Sequence, residues 1–154
     1  MKLRVLLVED EEHKTTDLVN RLNFAFPKLN LHVARSVREA VLEVLENEFE
    51  LVVLDMALPT FSDASRDEGG GGVSQAIGGV EVLRSLQSAN QMCNIIIVTQ
   101  YPEIIISGER VKLNQIGKVV SRRYNQNILG VVLYSFKTIA WEENFDKLLG
   151  AMSK

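Results

Sequence analysis

Three carboxylates and one hydroxyl fall where they can act together. Glu9 and Asp10 follow the apolar run Leu3 to Val8, Asp55 follows Leu51 to Leu54, and Thr99 closes Ile95 to Val98. Short apolar runs that stop at polar residues suit strands buried on both faces. In an open α/β sheet ligands sit at the carboxyl ends of the strands, beside the topological switch point. Carboxylates converging there suit a hard cation such as Mg2+, which takes oxygen ligands at roughly 2.0–2.1 Å and keeps several waters. A carboxylate beside such a cation can attack phosphorus and form an aspartyl phosphate. The metal neutralises charge on the moving phosphoryl group, and a threonine hydroxyl can donate to a phosphoryl oxygen.

The elements that must position these groups alternate along the chain. After the first run, Leu18, Leu22, Ala25 and Phe26 fall at helical spacing until Pro27 ends the pattern. Leu29, Leu31 and Val33 alternate as a half-buried strand would. Ser36 and Glu39 read as a capping box opening a helix whose apolar face is Ala40, Val41, Val44 and Leu45. Residues Thr60 to Gly79 hold six of the ten glycines, four of them consecutive, and read as a flexible loop. Val82, Leu83 and Leu86 resume a helix, Ile95 to Thr99 give a β-branched strand, and Gly108 suggests a second loop. Leu113, Ile116 and Val120 suggest a helix, Leu129 to Leu133 a fifth strand, and Trp141, Phe145, Leu148, Leu149 and Met152 a last helix. Strands alternating with helices predict parallel βαβ units with right-handed crossovers.

Composition narrows the function. At 154 residues, 46% hydrophobic and 24% charged, the chain is one domain's length and needs no disulfide to fold. The single cysteine, Cys93, fits a reducing compartment. A net charge of −3 argues against broad nucleic-acid binding. The acidic run Glu9 to Glu12 cuts off the opening apolar stretch, so neither a signal peptide nor a membrane span is expected, and the location expected is cytoplasmic. No output domain is expected after the last helix.

The segments Val5-Leu6-Leu7-Val8-Glu9-Asp10-Glu11, Leu51-Val52-Val53-Leu54-Asp55-Met56-Ala57-Leu58-Pro59 and Ile95-Ile96-Ile97-Val98-Thr99 resemble the receiver domain of two-component response regulators. The resemblance implies a flavodoxin-like (CheY-like) doubly wound five-stranded parallel sheet, order 2-1-3-4-5, with helices on both faces. It implies one receiver domain over 1–154, with a Gly-rich insertion at 60–79 and an enlarged region at 101–127. Asp55 matches the phosphoacceptor and Thr99 the switch hydroxyl. Glu9 and Asp10 match the acidic pair, and Ala57 the residue whose backbone carbonyl binds the metal. The implied cofactor is Mg2+. The implied partners are a histidine kinase as phosphoryl donor and a downstream protein, with no nucleic acid and no membrane, and a phosphorylation-dependent dimer is within the family's range. Such a domain signals rather than turns over substrate.

The sequence also departs from the family. The usual Lys-Pro pair after the last strand is replaced by Tyr134 and Ser135, and the usual switch aromatic by Val131. A missing cation predicts slow phosphorylation, with Lys137 the nearest candidate to replace it. These departures favour a second reading, a pseudo-receiver serving only as a protein-interaction module. A third, a phosphohydrolase with an aspartate nucleophile, expects an acid two residues after Asp55, where Ala57 stands. Glu11 and Glu12 read as a solvated helix start favoured by the helix dipole. His13 and His32 lack partners at metal spacing, and the glycine run is not a P-loop, since no Gly-Lys-Ser/Thr follows it.

Overall fold

The computed structural model describes residues 2–58, 73–75 and 77–152. Its main sheet takes β1 (Leu3–Val8), β2 (Leu29–Ala34), β3 (Leu51–Leu54), β5 (Asn94–Thr99) and β8 (Asn127–Leu133), all parallel, in the order β2-β1-β3-β5-β8. Counted within this sheet alone, that is the expected 2-1-3-4-5. The helices are α1 (Glu12–Ala25), α2 (Val37–Glu46), α3 (Ile77–Ser88), α4 (Leu113–Tyr124) and α5 (Ala140–Met152). Among the described residues, no helix is long and apolar enough to cross a membrane.

The apolar runs are continuous because both sheet faces are covered. Val5 and Leu7 pack with Leu18 and Leu22 of α1 and Trp141, Phe145 and Leu149 of α5. Leu6 and Val8 point the other way, toward Ala40 and Val44 of α2, Leu83 and Leu86 of α3, and Ile116 and Val120 of α4. The same alternation runs through Leu51 to Leu54 and Ile95 to Val98. A strand with side chains on both faces of a buried sheet has no polar side to expose.

The two regions read as loops contain structure. Ile77–Gly79 form the first turn of α3, and β4 (Val73–Gln75) precedes them. The enlarged region holds a hairpin, β6 (Glu103–Ile106) and β7 (Glu109–Lys112), turning through Ser107 and Gly108 at φ 50° and 83°. Two positive φ values in a two-residue loop make the turn that matches strand twist. β4 pairs in parallel with β6, so segments following β3 and β5 build one three-stranded sheet, β4-β6-β7. Ile104, Ile106 and Val111 seal it onto the α2–α3–α4 core. Pro59 and the run Gly69–Gly72 lie outside the described residues. The capping box is partly realised: Ser36 Oγ accepts from Glu39 N, but the Glu39 carboxylate accepts from Arg35 N instead.

Gly78 and Gly79 seat α3 against the end of β3. A Cβ on Gly79 would lie 2.5 Å from Met56 Cα, and one on Gly78 would lie 2.1 Å from Leu58 O. The Gly79 N–H donates to Met56 O at 2.9 Å, tying the helix start to the segment just after Asp55. Gly79→Ala should therefore destabilise by about 3 kcal/mol, at the upper end for overpacking because the obstacle is backbone. Urea unfolding checks this. Cys93 gives a second expectation. Burial, then the Glu48 charge, push its thiol up to about 11. The unfolded thiol ionises near ~8.5. Its stabilising contribution is thus complete below that pH and declines as pH rises toward 11. Cys93→Ala should flatten part of the alkaline loss of stability in urea titrations from pH 8 to 11.

Candidate functional site

Backbone pairing carries the acidic residues to one place. Glu9 N donates to Ala34 O and Asp55 N to Val8 O, both at 3.0 Å, so the ladder continues one residue past β1 and β3. Carboxylate oxygens of Glu9, Asp10 and Asp55 then lie within 4.8 Å of one another. Glu9 and Asp55 are buried and Asp10 is half-buried. Asp55 Oδ1 accepts from Ala57 N at 3.1 Å, which folds the segment after β3 back over the carboxylate. A set of hard, anionic oxygens fits Mg2+ in both charge and donor type.

A cation that the sequence reading did not single out sits among these acids. Lys14, in the first turn of α1, is 1% exposed. Its Nζ lies 2.7 Å from Glu9 Oε1, 3.9 Å from Asp55 Oδ2 and 3.0 Å from Val98 O. Lys137, the candidate read from the sequence, is not brought to this cluster: its Nζ stands over the exposed Phe136 ring. A signal was legible. Lys14, Leu18 and Leu22 share one helical stripe, and a lysine in an apolar stripe needs a buried anion. Glu11 fixes that turn as the N-cap residue of α1, its carboxylate accepting from His13 N at 3.1 Å and Lys14 N at 2.7 Å.

Burial, then the Asp55 charge, push the Glu9 carboxyl up to about 7, against the pull of Lys14. Burial would lower the Lys14 pKa, but the charges of Asp55 and Glu9 outweigh it and raise the value, so the ammonium holds its proton. The pair is held by mutual charge in a place where either group alone would be expelled.

Tyr134, which the resemblance puts at the family's lysine position, faces α1. Its hydroxyl donates to Asp17 Oδ2 on α1 at 2.6 Å, and the Lys14 ammonium stands 5.8 Å from its ring centroid. Trp141 packs on the ring at 5.0 Å between centroids. Tyr134 thus forms a wall beside the lysine. Thr99 is buried at the end of β5, its Oγ1 accepting from Tyr101 N at 3.0 Å. Val131 is half-buried against the α2–α3–α4 core. His32 pairs with Glu43 at 2.8 Å and His13 with Asp17 at 3.6 Å, both away from the three acids. Tyr134→Phe should cost about 1 kcal/mol for the lost hydrogen bond while leaving Mg2+ affinity unchanged. Urea unfolding and a Mg2+ titration followed by amide shifts check both halves.

No family model matches the chain. The Detocs response regulatory protein DtcB of Vibrio alginolyticus is 32% identical over 122 residues, covering 78% of this chain and 80% of the relative. A Colwellia psychrerythraea response regulator superposes with a TM-score of 0.63 at 16% identity, over 99% of this chain and 98% of that one. A CheX–CheY–BeF3–Mg complex from Borrelia burgdorferi gives 0.63 at 14% identity, over 99% and 90%. These neighbours carry the flavodoxin-like fold, and the DtcB relative carries the family. With its 2-1-3-4-5 sheet and its acids gathered at the strand ends, the chain belongs to the receiver domains of response regulators.

Proposed function

We propose that the chain is a single receiver domain that accepts a phosphoryl group on Asp55 from a histidine kinase, with Mg2+ held by Glu9, Asp10, Asp55 and the Ala57 carbonyl. The observation that carries this reading is the convergence of three carboxylates at the ends of adjacent strands, with a buried ammonium beside them. Asp10, half-buried, gives the metal its approach from solvent. Bound there, Mg2+ neutralises charge on the transferring group. Asp55 supplies the attacking oxygen. The Ala57 N–H holds the other carboxylate oxygen in place, which fixes the direction of attack. Thr99 serves as the switch hydroxyl by turning its O–H from the Tyr101 carbonyl, 3.5 Å away, toward the phosphoryl group. The downstream partner then reads the changed surface around Tyr101.

The pseudo-receiver reading rested on a missing lysine and a missing aromatic. Lys14 supplies the charge, so half of that argument falls away. The phosphohydrolase reading is weaker still, because Ala57 offers no second acid. A cytoplasmic setting, where kinase and acetyl phosphate are both met, agrees with a free, buried Cys93.

Incubation with acetyl phosphate and Mg2+ should add one phosphoryl group to the intact mass, and fragmentation should place it on Asp55. Asp10→Asn should weaken Mg2+ binding and slow labelling. Asp55→Asn should abolish labelling, yet barely change the melting temperature without metal, because the relief of repulsion with Glu9 offsets the lost attraction to Lys14. An Asp55→Asn protein that still labels sinks the assignment. Steady release of phosphate without a labelled protein points to hydrolysis instead.

A further inference from the structure

Lys14 raises a question that its pairing with Glu9 does not answer. A lysine ammonium has three N–H donors. One donates to Val98 O at 3.0 Å, while Glu9 Oε1 stands 2.7 Å away as an ion-pair partner. Asp55 Oδ2 lies 3.9 Å from the same nitrogen, too far for a hydrogen bond. A group attached to that oxygen would bring its own oxygens into the gap. The ammonium is closely surrounded. Lys14 is 1% exposed, its backbone N–H is held by Glu11, and the Tyr134 ring, bonded to Asp17 one turn further along α1, has its centroid 5.8 Å from Nζ. A counter-ion needed only by Glu9 would not require an aim toward Asp55 as well.

Resting on the phosphoacceptor reading, we propose that Lys14 is the residue that contacts the phosphoryl group on Asp55, so that α1, rather than the segment after β8, supplies the catalytic cation of this domain. In the transfer from acetyl phosphate, an Asp55 carboxylate oxygen forms the new O–P bond as the P–O bond to acetate breaks. Acetate leaves with the electron pair, and no proton changes hands. Charge gathers on the phosphoryl oxygens as this happens, and a Lys14 N–H donor meets one of them. Afterwards the same donor holds the aspartyl phosphate. The placement also accounts for Tyr134: a lysine there would bring a second buried cation against Lys14, whereas an aromatic ring packs beside the ammonium favourably.

The proposal separates from a purely structural role through the metal. Lys14→Met removes a positive charge beside the acidic cluster, so Mg2+ affinity should hold or rise. Labelling of Asp55 by acetyl phosphate should nevertheless fall by about 100-fold or more, the loss expected for one preorganised donor. Lys14→Arg, which keeps the charge but not the shape, should recover little of the rate. A Lys14→Met protein that is folded in Mg2+ and labels at the parent's rate overturns the assignment of Lys14 alone. A parent that never labels overturns the phosphoacceptor reading instead. If Lys14→Met does not fold, the unaltered protein gives the answer: beryllofluoride with Mg2+ should shift the slowly exchanging Lys14 Nζ resonance in a 15N-lysine spectrum. A resonance that stays in place while backbone amides around Asp55 move overturns the contact.

Discussion

A buried ammonium is the constraint around which this domain is organised. Lys14 and Glu9 are each about 1% exposed, and neither charge is tolerable there alone. Breaking such a pair by removing one partner costs ~3–5 kcal/mol in general, because the other is left charged without water. The neighbouring parts of the fold are fixed accordingly. Glu11 caps the first turn of α1 so that Lys14 leaves the helix in the right direction. Val98 keeps its carbonyl for the ammonium. Tyr134 gives up the position that a lysine would hold and becomes the wall behind it.

The two faces of the sheet divide the labour. The α1–α5 face carries the cation, and Arg21 of α1 pairs with Asp146 of α5 across it. The α2–α3–α4 face carries the additions. Extra chain after β3 and extra chain after β5 meet in one small sheet through the β4–β6 ladder, and its apolar side joins the core that already faced α3 and α4. The additions therefore bury surface of their own without displacing the acidic cluster. The seam between the two regions is the segment Asp55 to Leu58. There Gly78 and Gly79 allow helix and strand end to approach at backbone distance, and the Gly79 N–H holds the Met56 carbonyl. A receiver with larger residues at those two positions would have to move α3, and the segment carrying Ala57 with it.

The architecture and the acidic residues were legible in the chain because they depend on local pattern. Leu3 to Val8, Leu51 to Leu54 and Ile95 to Val98 are apolar at consecutive positions, which only a doubly covered strand satisfies, and the residue that ends such a run is at the carboxyl edge by construction. That is enough to bring Glu9, Asp10 and Asp55 together. Lys14 gave a weaker sign. It shares a helical stripe with Leu18 and Leu22 yet stands among acids at a helix start, and the packing of α1 against β1 and β5 decides which anion it meets. Tyr134 is similar: its place in the register marked it as a lysine position, and the nearness of Asp17, set by how α1 crosses the sheet, decided that it would face the helix. The β4–β6 ladder joins residues about thirty positions apart across α3 and β5, so neither segment alone announces a partner. Local periodicity determines what is buried and where a strand stops. Which buried charge meets which is a matter of helix placement, and that is settled only when the whole core closes.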